Sequence, residues 1–411
     1  MPGVLFPQTR GVSDPRAIRF SRGAVRHRRK VVLRGSAVYI GDVTWLFWLS
    51  VAITVYAYFG YPLVLFALGL VIHRPVRKER IEPYVSILIP AYKEARVIAQ
   101  KIRNCLALDY PAHKFEIVVA CDGSPDDTPL IAQSLADGVR VRVLNFPVNR
   151  GKTEVLNASV PQLKGEIIVF SDAAAMLYRD SVRNLVANFA DPQVGAVSGK
   201  YTVVKAEDVA IGKSEDFYWK YETFLKTKES ELSSTLGAHG HLHAIRKELY
   251  EPLAPDAIND DYIIPVSVLA KGFRAVYEPA AIVFEEAQEM TGFGRRVRIM
   301  AGNIQQMREL RGLLRPFQTL PFFFFFSHKI VRLLVPLAML AALAANLFLL
   351  GLPLYRTLFY GQAVFYTLAG AEALWRIRPR FLALPYYFTM VNAAVFVGLY
   401  QVLVRRKVAW K

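Results

Sequence analysis

From Val43 to Ile72 the chain runs thirty residues without one charged side chain, and no other feature limits its fold as sharply. A bilayer-spanning helix needs about 20 apolar residues, so this run predicts one tilted helix, or a helix with an interfacial extension. Three more stretches predict spans, over 333–351, 357–371 and 381–404. Between Pro316 and Phe326 lies a segment ending in five consecutive phenylalanines. It is too short to cross and carries two prolines, which predicts an interfacial or re-entrant piece.

The net charge of +17 raises the possibility of a nucleic-acid partner, and its location argues against one. Residues 1–40 hold nine Lys/Arg against Asp14, and the other basic clusters fall at 73–80, 295–315 and 376–411. All lie beside apolar stretches, where anionic headgroups attract Lys and Arg, whereas a nucleic-acid-binding face belongs on the folded domain. The basic residues at 73–80 and 376–380 read as cytoplasmic by the positive-inside rule. Those before the first span and after the last cannot all be satisfied by four simple spans, so the topology stays open. The basic tail 1–42 reads as disordered and carries no signal-peptide pattern. Cys105 and Cys121 have neither zinc spacing nor a disulfide framework.

From 85 to 204 short apolar runs at 85–90, 115–121, 141–146, 166–171 and 195–204 alternate with helical patterns near 94–107, 127–136, 152–160 and 179–190. That alternation predicts an α/β domain with a mostly parallel sheet flanked by helices, whose ligands bind beyond the carboxyl ends of the strands. The residues there are polar: Pro90-Ala91-Tyr92-Lys93-Glu94, Cys121-Asp122-Gly123-Ser124, Asn149-Arg150-Gly151-Lys152 and Ser171-Asp172-Ala173. Each alone suits a tight turn; four in succession suit a ligand. No glycine loop of the dinucleotide or Walker type is present.

In this order the motifs resemble the family 2 glycosyltransferases over about 85–300, and among them the membrane-bound synthases of cellulose, hyaluronan and poly-N-acetylglucosamine. The resemblance implies the Rossmann-like GT-A fold for a cytoplasmic domain at 73–313, after a span at 43–72 and before an interfacial segment and C-terminal spans at 314–411. Pro90-Ala91-Tyr92-Lys93-Glu94 is similar to the family's P-x-Y-N-E motif, with Lys93 in the Asn position, which implies Pro90, Ala91, Tyr92 and Glu94 around the nucleoside. Asp122 corresponds to an Asp on the base, with Cys121 replacing a frequent Asp neighbour, and Lys152 to the Lys of a G-K segment that holds the nucleotide. Asp172 matches the first Asp of the D-x-D motif, which implies a divalent cation, Mg²⁺ or Mn²⁺, on the donor diphosphate. Ala174 replaces the second Asp. His239, His241 and His243 alternate nearby; one of them compensating as a ligand, His239 first, and a row of polar residues beside the acceptor both account for the pattern.

Asn259-Asp260-Asp261 resembles the T-E-D motif, which implies Asp261 as the catalytic base with Asp260 beside it; carboxylates at a helix start also suit the dipole. Arg295-Arg296-Val297-Arg298-Ile299 is similar to Q-x-x-R-W, a mark of processive synthases, with Arg295 for Gln and Ile299 for Trp. Arg295 and Arg298 are therefore expected on the diphosphate. Tyr218 and Trp219, in a helical stretch at 212–230, are candidates for the acceptor, and an amphipathic core helix explains them equally. The expected activity is inverting transfer from a nucleotide-sugar, UDP-linked by expectation, to a polysaccharide or lipid-linked acceptor at a bilayer, in a bacterial inner membrane. Single addition to a polyprenyl-phosphate acceptor is the nearest alternative, and a non-catalytic membrane protein on a decayed transferase domain is the alternative of another class.

Overall fold

The computed structural model describes residues 30–33, 36–204, 212–238, 240–286, 293–309, 319–375 and 380–404. A hairpin of β1 (Lys30–Leu33) and β2 (Ser36–Tyr39) leads into α1 (Ile40–Val55) and α2 (Tyr61–Gly69). The sheet domain then alternates as β3 (Val85–Ala91), α3 (Ile98–Leu106), β4 (Phe115–Asp122), α4 (Thr128–Ser134), β5 (Val141–Phe146), α5 (Lys152–Ser159) and β6 (Ile167–Phe170). It continues through β7 (Met176–Leu177), α6 (Ser181–Ala187), β8 (Val194–Val204), α7 (Gly212–Leu232), β9 (His243–Arg246), α8 (Asp260–Ala270) and β10 (Arg274–Glu286). The C-terminal part is helical: α9 (Phe293–Glu309), α10 (Thr319–Phe324), α11 (Val331–Phe348), α12 (Pro353–Trp375) and α13 (Arg380–Leu403).

The eight strands β3 to β10 form one sheet in the order β5-β4-β3-β6-β9-β8-β10-β7. Strands β3 to β6 are mutually parallel, β8 is parallel to β10, and β9 and β7 run against their neighbours. Parallel strands covered on both faces read as unbroken apolar runs, and every residue of β3 is buried. Successive residues alternate between the faces. Ile87, Ile89, Ile117 and Val119 pack in one cluster with Ile98, Ile102 and Leu185 of the helices on their side. Leu88, Val118 and Ile168 pack on the other with Val155 of α5 and Ile264 of α8. Each such side chain contributes about 1.5–3 kcal/mol on burial.

Among the described residues, three helices are long and apolar enough to cross a membrane: Ile40–Gly69, Leu320–Phe348 and Leu384–Leu403. Two of the stretches singled out from the sequence sit differently in this set. The stretch expected as a span over 357–371 lies in α12, where Arg356, Gln362 and Glu372 dilute the apolar run, and α12 is not among the three. The phenylalanine run, expected as an interfacial or re-entrant piece, is helical. It belongs to a continuous helical path through α10, a π-helical turn at Phe325–Ile330 and α11. Phe324 and Phe325 are fully buried with Tyr61, Leu225 and Tyr262, so they fill the joint between the apolar helices and the sheet domain.

Candidate active site

Loops at the carboxyl ends of β3, β5 and β6 meet the start of α8 around one cavity of about 2440 Å³. Pro90, Glu94, Lys152, Asp172, Asp260, Asp261 and Arg298, all singled out from the sequence, line it. Ala91 does not: it is fully buried in the sheet core, as the last residue of a doubly covered strand. Tyr92 is not among the lining residues; the Lys93 ammonium sits 5.2 Å from its ring centre. Lys93 itself has φ 59°, in the left-handed region.

Asp122 is fully buried, and its carboxylate faces the protein rather than the cavity. Oδ1 accepts the Arg150 backbone N–H at 2.7 Å, while Oδ2 accepts the Gly151 N–H at 2.9 Å and Asn149 Nδ2 at 3.0 Å. Gly123 turns the chain beneath this loop at φ 57°, and a Cβ there would run into the backbone of Val148 and Asn149. Through these bonds Asp122 braces the 149–151 loop that presents Lys152.

Lys152 organises the centre. Its Nζ lies 3.1 Å from Asp172 Oδ1 and 3.0 Å from Asp260 Oδ2. Burial disfavours the ammonium, but Asp172, Asp260 and Asp261 outweigh it and raise the pKa above the ordinary Lys value. For Asp172 burial likewise works against the charged form, and Lys152 prevails, holding the pKa below the usual carboxylate range. Asp261 goes the other way: burial first, then the neighbouring Asp260, raise it to about 6. Two adjacent carboxylates at one helix start thus differ in environment, Asp260 paired to the ammonium and Asp261 raised by burial and by its neighbour. Gly240 lies against Asp261, where a Cβ would stand 2.8 Å from Oδ2.

Sequence reading missed the support under Asp172. Lys101 is fully buried in α3, and its Nζ donates to Ser171 Oγ at 2.7 Å and to the Ala175 carbonyl. Ser171 Oγ in turn donates to the His241 carbonyl at 3.0 Å. The signal was present: Lys101 falls on the apolar stripe Ile98-Ile102-Cys105 of α3, a place for a lysine only if it has buried partners.

Beside Asp172 the wall is acidic. Burial, then Asp172, Glu285 and Asp126, raise Glu94 to about 7. His241 stacks on Tyr201 at 4.1 Å, with Nε2 3.4 Å from Glu285 Oε2. His243 is buried against Phe170 at 4.8 Å; burial and Lys152 lower it to about 3, so it stays neutral. Among the described residues no three His, Cys, Asp or Glu side chains gather as a metal-holding group. The donor set therefore fits only a cation that arrives with diphosphate oxygens and takes Asp172 as its protein carboxylate, since Mg²⁺ is commonly held by one or two carboxylates plus substrate phosphates.

Helix α9 closes the cavity from the side of the apolar helices. Arg298 and Ile299 line it, and the Arg296 guanidinium lies 5.3 Å from the ring centre of Tyr387 on α13. Gln305 fastens α9 to the approach to α8, accepting the Ile258 N–H at 3.0 Å and donating to the Asp256 carbonyl at 2.9 Å. The side chains of Arg295, Tyr218 and Trp219, and His239 altogether, lie outside the described residues.

With this geometry in view, residues 86–253 match the family described as Glycosyl transferase family 2. Residues of the chain are 29% identical over 205 positions to the Beta-monoglucosyldiacylglycerol synthase of Trichormus variabilis, covering 47% of this chain and 44% of that synthase. They are 25% identical over 225 positions to the Poly-beta-1,6-N-acetyl-D-glucosamine synthase of Staphylococcus aureus, covering 53% of this chain and 54% of that one. The chain thus spans about half the length of the curated relatives it matches. Among solved structures, the Mannosyltransferase PcManGT from Pyrobaculum calidifontis, in complex with GDP-Man and Mn²⁺, is similar over 88% of this chain and 99% of its own, with a TM-score of 0.68 and 25% identity. The likeness identifies the curled, mostly parallel sheet as a GT-A fold.

Proposed function

We propose that this chain, whose residues 86–253 match the model of Glycosyl transferase family 2, transfers a sugar, with inversion, from a nucleoside-diphosphate sugar to an acceptor hydroxyl at a membrane surface. The acceptor is a growing polysaccharide or a lipid-linked molecule. The helices Ile40–Gly69, Leu320–Phe348 and Leu384–Leu403 cross the bilayer, and the sheet domain lies on the cytoplasmic side with the basic segment 73–80.

One observation supports this most: the Lys152 ammonium bridges Asp172 and Asp260, with Asp261 adjacent. The donor carboxylate and the base pair therefore stand on opposite sides of one cation. Asp261 takes the proton of the acceptor hydroxyl, whose oxygen bonds to the anomeric carbon as the bond from that carbon to the diphosphate oxygen breaks. Lys152 and Arg298 hold the departing diphosphate, Arg298 through a planar fork suited to phosphate oxygens. A divalent cation bound with the donor supplies further charge neutralisation, with Asp172 as its protein carboxylate. Asp122 and Lys101 keep the 149–151 and 171–175 loops in register for this.

The test is a panel of nucleotide-sugars offered to the membrane-embedded protein, with release of nucleoside diphosphate measured. At least one donor is expected to turn over, and Asp261→Asn is expected to abolish that turnover while nucleotide affinity stays within a few-fold. Absence of turnover with every donor, or near-normal turnover by Asp261→Asn, overturns the proposal.

A further inference from the structure

Helix α9 does more than wall the cavity. Arg298, Gly302 and Gln305 fall at i, i+4 and i+7, which sets them along one face of the helix. Gly302 and Gln305 on that face meet the turn that leads into Asp260 and Asp261. We propose, resting on the sugar-transfer reading above, that Asn259 and Gln305 are positioning residues of the transfer step: through them α9 fixes where Asp261 stands relative to Arg298.

Asn259 holds the N-cap position of α8, where an asparagine ordinarily turns its side chain back to the free N–H groups of its own helix. Here it makes no such bond. Its amide is given to α9 instead, where Nδ2 donates to the Ile299 carbonyl and to Asn303 Oδ1, each at 3.4 Å. Helix α9 is shaped to receive it. Gly302 lies directly against the amide, and a Cβ there would stand 2.5 Å from Asn259 Cγ, Oδ1 and Nδ2. The T-E-D motif that Asn259-Asp260-Asp261 resembles has the shorter Thr at this place, so the long amide and the glycine opposite belong together in this chain.

Gln305 adds a second fastening three residues on. It accepts the Ile258 N–H at 3.0 Å and donates to the Asp256 carbonyl at 2.9 Å. Between those two bonds Thr153 Oγ1 of α5, next to Lys152, donates to the Ala257 carbonyl at 3.0 Å. The turn before Asp261 is thus held by α9 on one side and by the Lys152 helix on the other. Helix α9 is also braced from behind: Ala301 is fully buried, and a Cβ on Gly398 of α13 would stand 2.9 Å from its backbone nitrogen. A helix seated this closely on both faces keeps Arg298 and Asp261 at one separation. In the proposed step the acceptor proton leaves as the diphosphate departs, so that separation enters the rate, and a misplacement of about 1 Å can cost about a hundredfold.

The full chain in phosphatidylcholine nanodiscs, assayed by nucleoside diphosphate release with a donor that the wild type turns over, tests this. Asn259→Ser keeps a neutral capping side chain that is too short to reach α9, and Gln305→Met keeps the length without the two bonds. Each is expected to lower kcat by about tenfold to a hundredfold, with donor KM within a few-fold and the thermal unfolding midpoint unchanged. Gly302→Ala should lower kcat likewise, and adding it to Asn259→Ser should cost little more, because the shorter side chain leaves the methyl room. Wild-type kcat in either Asn259→Ser or Gln305→Met overturns the proposal. So does a loss of kcat matched by a lower unfolding midpoint, which marks a merely structural contact. A rise in donor KM alone, which makes these residues donor ligands, and independent losses from Gly302→Ala and Asn259→Ser also overturn it. Any of these with an active wild type sinks the positioning role alone; a wild type that turns over no donor sinks the sugar-transfer reading, and this role with it.

Discussion

At the scale of single residues, two backbone neighbours show how position outranks residue type. Asp260 and Asp261 begin the same helix, yet one is paired to Lys152 and the other is raised to about 6 by burial and by its neighbour. An acid whose pKa is raised on folding loses stability as pH climbs from its unfolded pKa up to that value, because the folded state resists the charge. Asp261→Asn should therefore be more stable than the wild type at pH 7, the gap closing as pH falls from about 6 toward the ordinary Asp value of about 4. Thermal unfolding across that window measures it. The wild-type rate should fall on the acid side near pH 6, where the base becomes protonated. Lys93 makes a second case. Its φ of 59° is a conformation that costs a side chain about 1–2 kcal/mol and that Asn tolerates better. Asn is also what the resembling motif has there. Lys93→Asn should raise stability by about 0.5–1 kcal/mol in denaturant unfolding, with the backbone N–H still bonded to Ser124.

At the scale of elements, the sequence disclosed β3 to β6 and β8 and hid the short or interrupted β7, β9 and β10. β3 and β4 are buried along their whole length, and their expected bounds differ from the structure by at most one residue. β10 has Pro279 and a register shift between Glu278 and Ile282, so its pattern breaks, although Glu278 is buried by bonds to Lys78 and Asn188. β9, inserted antiparallel between β6 and β8, is only four residues long. The donor-side residues were legible because Asp, Gly and Lys following a strand are conspicuous. Lys101 was legible only from its place on the apolar stripe of α3, a fainter signal because a lone lysine on a helix is normally solvated. Lys101→Met keeps the stem and deletes two buried hydrogen bonds, leaving the Ala175 carbonyl and Ser171 short of a donor. We expect a loss of about 1–3 kcal/mol in unfolding, and weaker donor binding as the Asp172 loop shifts. Unchanged donor affinity by calorimetry would remove Lys101 from the support of the site.

At the scale of the whole molecule, the apolar helices and the sheet domain share one carboxylate. Glu229 of α7 is fully buried, accepts from Tyr61 Oη of the first apolar helix, lies 2.6 Å from His328 Nδ1 in the π-helical turn of the second, and accepts the Leu236 N–H at 3.3 Å. No local pattern could disclose this, because Tyr61 and His328 stand 168 and 99 residues from Glu229 in sequence. Burial opposes the charge, but His328, Tyr61 and Lys226 prevail and hold Glu229 below the ordinary carboxylate range. A depressed acid contributes stability above its unfolded pKa and loses it only as pH falls through the folded value, so this joint persists throughout the neutral range. Glu229→Gln keeps the shape and removes the charge, leaving His328 and Tyr61 with an amide in place of a common acceptor. Removing a charge-assisted buried hydrogen bond costs about 1–3 kcal/mol, and here the loss falls on the seam between two parts of the chain. Thermal unfolding of the detergent-purified protein should then separate into two transitions, one for the sheet domain and one for the helices. A single transition at the wild-type temperature would mean that the phenylalanine and tyrosine packing around Phe324 and Phe325 joins the two parts without Glu229.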